Sequence, residues 1–298
     1  MRVGLVGLGN MGRPMAARIR AAGLPLTVHD LRPEVARDVA AACDAVAAPS
    51  LAALAAASDV VVTMLPDGAT VRRAVLGPSD CLADGLAAGA VVVDMGSSSP
   101  TGTRALGEAL AARGVGMLDA PVSGGVRRAV DGTLTVMVGG DPVLAARCEP
   151  LFDAVGTQRF ACGPLGAGHA MKALNNLVSA SGLLMAGEAL LIGCRFGLDP
   201  ARMLDVLNAS TGRNHATEHK VAQFVLSRRF DAGFSLALMV KDLGTALELA
   251  EDTGTPAAFA SECRALWTRA ARELAPGADH TAVVRWLETV TGTSLGRE

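Results

Sequence analysis

Through the first half of the chain, short runs dense in Val and Leu alternate with Ala-rich stretches whose apolar positions recur every three to four residues. A continuous apolar run suits a strand buried on both faces of a parallel sheet, and the amphipathic stretches between such runs supply the covering helices. The runs predict strands over 2–6, 26–29, 60–64, 91–94, 116–118 and 133–138, with helices over 11–22, 33–42, 51–57, 102–113 and 142–152. Gly, Pro or Ser/Asp punctuates each one. Beyond residue 163 the strand signal fades, and helical patterns follow over 166–195, 200–208, 217–227, 236–253, 256–273 and 281–291. The expected architecture is α/β: a doubly wound sheet domain over 1–163 and an all-α domain over 164–298. The 166–195 helix is long and apolar, which fits a connector between the domains that later helices, or a second subunit, cover.

Composition narrows the function. Half of the 298 residues are hydrophobic but only 3% are aromatic, with no Tyr, so the chain has few rings on which bases could stack. With 27 basic and 29 acidic residues the net charge is −2 and no Lys/Arg block stands out, which argues against nucleic acid or an anionic membrane and for a small-molecule partner. The six cysteines have neither C-x-x-C nor zinc-ligand spacing, and a strand pattern begins almost at once, so a reduced, cytoplasmic protein without a resident metal is expected. Residues 177–193 form the most apolar stretch, which falls short of a comfortable membrane span and reads as a core helix.

Within the helix predicted over 166–195, His169, Lys172, Asn176 and Ser179 recur at spacings of three and four, on one face. Lys172 and Glu188 are the only formal charges between Leu165 and Gly193. An ammonium group on such a helix either has a chemical task or snorkels past its neighbours to water.

At the other end of the chain, Gly7, Leu8, Gly9, Asn10, Met11 and Gly12 form a G-x-G-x-x-G run between a predicted strand and a predicted helix. In that context the first glycine permits a tight turn, the second lets backbone approach a pyrophosphate, and the third lets helix and strand pack closely. This is a Rossmann-type dinucleotide fingerprint. Asp30, at the end of the second strand, suits a ribose 2′-hydroxyl and favours NAD, while Arg32 beside it leaves NADP open. Met64, Leu65 and Pro66, at the end of another strand, share that edge of the sheet and could pack on the cofactor.

Four blocks in order resemble the β-hydroxyacid dehydrogenase family, typified by 3-hydroxyisobutyrate dehydrogenases. They are the glycine run at 7–12, Asp119-Ala120-Pro121-Val122-Ser123-Gly124-Gly125, Gly166-Ala167-Gly168-His169-Ala170-Met171-Lys172-Ala173-Leu174-Asn175-Asn176, and Lys241-Asp242-Leu243. The resemblance implies that Lys172 is the catalytic lysine and that Asn176 holds the substrate. It implies that Ser123, Gly124 and Gly125 bind the substrate carboxylate, that Ser97 and Lys241 lie beside the cofactor, and that Asp242 supports Lys241. It further implies a homodimer or homotetramer and reversible NAD- or NADP-dependent oxidation of a small β-hydroxy acid.

Departures bear on specificity. The family more often has Ser where this chain has Gly96, and Arg127 and Arg128 follow the substrate loop, where they could meet a second anion or simply face solvent. Arg213 and Asn214 lie in a polar turn that could close over a substrate tail. His215 and His219 could share one ligand but lack a third metal partner nearby. The alternatives are an imine or carbonyl reductase of the same fold, although imine reductases usually lack this lysine; a phosphogluconate-type oxidative decarboxylase, which needs more substrate arginines and a longer helical domain; and a dinucleotide sensor that has lost the chemistry.

Overall fold

The computed structural model describes residues 1–296 and divides the chain into two compact units, Met1–Lys172 and Ala173 onward. In the first, eight strands lie in the order β3-β2-β1-β4-β5-β6-β8-β7, with β9 paired to β8. β1 (Val3–Val6), β2 (Leu26–His29), β3 (Val46–Ala47), β4 (Val60–Thr63), β5 (Val91–Asp94) and β6 (Gly116–Asp119) are parallel. β8 (Leu134–Gly139) runs antiparallel to β6 and β7 (Val122–Ser123) and parallel to β9 (Gly156–Gly163). The Val runs explain why β4 and β5 are central: Val60, Val62, Val91 and Val93 enter one core while Val61 and Val92 enter the other.

Helices α1 (Gly12–Ala21), α2 (Pro33–Cys43), α3 (Leu51–Ala56), α4 (Gly68–Leu76) and α5 (Pro100–Ala111) alternate with the parallel strands, and α6 (Gly125–Asp131), α7 (Pro142–Arg147) and α8 (Glu149–Val155) accompany the last three. From β1 the chain builds outward through β2 and β3, then returns to place β4 on the other side of β1. That reversal opens a crevice at the carboxyl ends of β1 and β4, where ligands of such sheets bind. Register aligns Val6, Thr63, Asp94 and Asp119 across the carboxyl ends of β1, β4, β5 and β6.

α9 (Ala167–Phe196) begins in the first unit and continues into the second. Its start is anchored before the division: the N–H groups of Gly166 and His169 each donate to Asp119 at 2.7 Å. A side chain at Gly168 would overlap the Met137 carbonyl, so glycine there allows helix and strand backbone to approach. The helix thus runs through the division between the two units, which falls after Lys172.

The second unit adds α10 (Pro200–Ala209), a π helix (Thr217–Leu226), α11 (Leu236–Asp252), α12 (Ala258–Glu273) and α13 (Val283–Thr291). By length and composition α9 could cross a bilayer, more than residues 177–193 alone suggest; Ala180, Leu183, Leu184, Leu190 and Leu191 instead pack with Leu243, Trp267 and Trp286 in this unit's core.

Other predicted bounds shift for local reasons. The helix expected over 102–113 is Pro100–Ala111, because proline suits the first helical position. The one expected over 142–152 breaks at Cys148, just before Pro150, whose nitrogen has no hydrogen to donate. The segment 217–227 is a π helix rather than an α helix.

Candidate active site

The glycine turn has the shape its spacing predicts. Gly7 adopts φ +95°, a conformation side chains avoid, and a Cβ on Gly12 would overlap the Gly7 carbonyl. A Cβ on Gly9 would meet nothing within 4 Å, so the backbone there faces open space. A dinucleotide phosphate requires those features: a tight turn, an unobstructed backbone and a helix starting beside it. Asp30 is bound into the turn, its carboxylate accepting from Leu8 N–H at 2.9 Å and from Arg32 N–H at 3.1 Å, with the Arg32 guanidinium at 3.3 Å. Burial acts to raise the Asp30 pKa, but these donors outweigh it and hold the carboxyl below its ordinary value. Met64 and Leu65 are half-buried and Pro66 is exposed, directly after β4. Ser97 is half-buried, three residues beyond the end of β5.

Gly96 has a physical reason. Its N–H donates to Asp94 at 3.0 Å, and a side chain would come within 2.8 Å of the Leu65 carbonyl.

Ser123 ends β7, and two glycines follow at φ +129° and +69°. Both glycines are exposed, so this turn can present backbone N–H groups to an anion. Arg127 and Arg128 are exposed, with the Arg128 side chain folded back against Gly124.

The polar stripe of α9 does not act as one unit. His169 turns into the sheet domain, where its ring is fully buried. Thr103 Oγ1 donates to the Ser99 carbonyl at 3.0 Å and so accepts from His169 Nδ1 at 2.8 Å. His169 Nε2 lies 3.6 Å from Asp94 and has no hydrogen-bond partner. Asp94 also accepts from Thr63 at 3.0 Å and Ser98 at 2.6 Å. The imidazole thus ties the start of the lysine-bearing helix to the first turn of α5, and the His169 backbone N–H ties it to the end of β6. Sequence periodicity registers His169 but not these partners.

Lys172 is half-buried, one turn beyond His169 on α9. Asn176 is buried; its Nδ2 donates to Asp242 at 2.5 Å and its Oδ1 accepts from Asn175 at 3.1 Å. The other Asp242 oxygen lies 3.0 Å from Lys241 Nζ. Asp242 is only 1% exposed, so this is not a surface ion pair: one buried carboxylate orients both the amide and the second lysine. Asp242, expected from the resemblance to support Lys241, also holds the Asn176 amide.

Residues 2–163 match the family described as the NAD binding domain of 6-phosphogluconate dehydrogenase, and residues 166–287 the one described as the NAD-binding of NADP-dependent 3-hydroxyisobutyrate dehydrogenase. The 2-(hydroxymethyl)glutarate dehydrogenase of Eubacterium barkeri is 35% identical, over 99% of this chain and 97% of that one. The chain belongs to the β-hydroxyacid dehydrogenase family. Among solved structures, the 3-hydroxyisobutyrate dehydrogenase of Mycobacterium tuberculosis with L-serine has a TM-score of 0.87 at 34% identity, covering 96% of this chain and 99% of that one. A Streptomyces aurantiacus imine reductase covers 96% of this chain and 99% of its own, with a TM-score of 0.63 at 21% identity, and shares the fold alone. As a β-hydroxyacid dehydrogenase, the protein is an NAD(P)-dependent oxidoreductase acting on CH–OH groups.

Proposed function

We propose that the substrate is a small β-hydroxy acid, oxidised reversibly at the hydroxyl-bearing carbon, with Lys172 moving the proton. The observation that carries this reading is the helical turn joining Lys172 to Asn176, whose amide is aimed by buried Asp242. The residues of the glycine turn, with Asp30, suit a dinucleotide, and the bound nicotinamide supplies the hydride acceptor. Lys172 Nζ takes the hydroxyl proton during oxidation and returns it during reduction. Asn176 fixes the same oxygen, and Ser123 with the N–H groups of Gly124 and Gly125 anchors the carboxylate, so the reacting C–H is presented in one orientation. The names of the two relatives, a 2-(hydroxymethyl)glutarate and a 3-hydroxyisobutyrate dehydrogenase, support this class.

The protein should reduce NAD or NADP with short β-hydroxy acids and not with their α-hydroxy isomers. Lys172→Ala should lower kcat by on the order of a hundredfold or more while cofactor affinity, read by fluorescence titration, persists. Turnover within a few-fold of wild type in that variant would remove Lys172 from its role.

We also infer a homo-oligomer. Met171, Val178, Met185 and Ile192 repeat every seven residues along α9 and are exposed, as are Leu174 and Phe196. A stripe of that period on a long helix suits burial against the same stripe of a second copy.

A further inference from the structure

Past Asn176 the polar face of α9 carries one more side chain, Ser179, before it closes on Leu183, Ala186 and Leu190 in the helical core. Ser179 is met from another element. Lys220, on the π helix, donates from Nζ to Ser179 Oγ at 3.0 Å, and both residues are half-buried. The polar stripe therefore ends on a positive charge brought by a second element.

The surroundings of that charge are themselves basic. His215 and His219 pack with ring centroids 5.0 Å apart. Burial first, then the charges of Lys220 and His219, hold the His215 pKa below its ordinary value, which places Lys220 within electrostatic reach of the pair. Glu218, the acidic residue among them, lies 3.6 Å from Arg213. The turn bearing these groups is firmly built: Asn214 Oδ1 accepts from Ala216 N–H at 2.8 Å and Thr217 N–H at 3.2 Å, and Thr217 Oγ1 donates to the Asn214 carbonyl at 2.9 Å. The segment that follows is π-helical over ten residues, an uncommon winding that recurs at functional sites.

We propose that Lys220, seated on Ser179, receives a second anionic group of the substrate, so that the enzyme acts on β-hydroxy acids whose side chain ends in a carboxylate. This inference rests on the reading of Lys172 and Asn176 as the reaction centre. Three residues of helix separate Asn176 from Ser179, about 4.5 Å of rise, a span that a tail of two or three carbons bridges. An ammonium group held at the end of that span pairs with a carboxylate, whereas an alkyl tail would take water from it and give nothing in return. A site built in this way discriminates against a tail that displaces water from the ammonium group without pairing with it.

The test compares three compounds that share one reacting end: 3-hydroxyisobutyrate, 2-(hydroxymethyl)pentanoate and 2-(hydroxymethyl)glutarate. With the whole wild-type enzyme, kcat/KM for the dicarboxylate should exceed that for the pentanoate, which has an uncharged tail, by roughly tenfold or more. In Lys220→Met that ratio should collapse toward one, chiefly through KM of the dicarboxylate, and Lys220→Arg, which keeps the charge, should retain part of it. A wild-type ratio near one, or a ratio unchanged by Lys220→Met, overturns the inference while leaving the reaction centre standing. Absence of turnover with all three compounds, and with every other β-hydroxy acid tried, overturns the reaction centre and this inference with it.

Discussion

His169 shows at the scale of one residue how function and folding share a side chain. Its ring is fully buried between Thr103 Oγ1, which accepts from Nδ1, and the Asp94 carboxylate opposite Nε2, while its backbone N–H is held by Asp119. Replacing it by leucine would leave a hydroxyl and buried carboxylates facing methyl groups, a change worth about 2–4 kcal/mol. His169→Leu should lower the denaturant midpoint accordingly, and His169→Asn, whose amide can still reach Thr103, should lose less than half as much. Equal stability of wild type and the leucine variant would mean that the network contributes nothing. The sequence shows such residues as types at a spacing, and their partners lie too far along the chain for a spacing to show. Asp119 stands 47 residues before Gly166, and Asp242 stands 66 after Asn176.

At the scale of elements, legibility follows burial. The Val runs of β4 and β5 and the glycine turn announce themselves because both faces of the strand, or a forbidden φ, dictate the residue type. β9 does not. Its residues Gly-Thr-Gln-Arg-Phe-Ala-Cys-Gly are mostly exposed, and only pairing with β8 makes them a strand. α4 is likewise absent from the predicted elements, although Asp67 caps it through Thr70 N–H at 2.7 Å and Val71 and Val75, four apart, bury one face. The exposed stripe of α9 carries its own expectation. Val178→Lys together with Ile192→Lys puts two charges on the seven-residue repeat and should turn an oligomer into a monomer in sedimentation velocity. A wild-type protein that already sediments as a monomer at micromolar concentration would contradict the stripe's assignment.

On the scale of the whole molecule, each unit has its own polar framework. The sheet unit contains the glycine turn, the Ser123 loop and the buried network at the start of α9. The helical unit contains the Asn176–Asp242 pair and the Lys220–Ser179 contact. The doubly wound fold and the reaction class were readable from motifs because each depends on backbone geometry or on local spacing. The tail of the substrate was not, since Lys220 meets Ser179 across 41 residues and two helices. The central claim is hydride transfer from the hydroxyl-bearing carbon, and isotope transfer measures it directly. A β-hydroxy acid deuterated at that carbon is incubated with enzyme and oxidised cofactor, and the reduced cofactor is weighed by mass spectrometry. The account predicts one deuterium at C4 of the nicotinamide for each turnover; reduced cofactor without the label, alongside oxidised product, would contradict it.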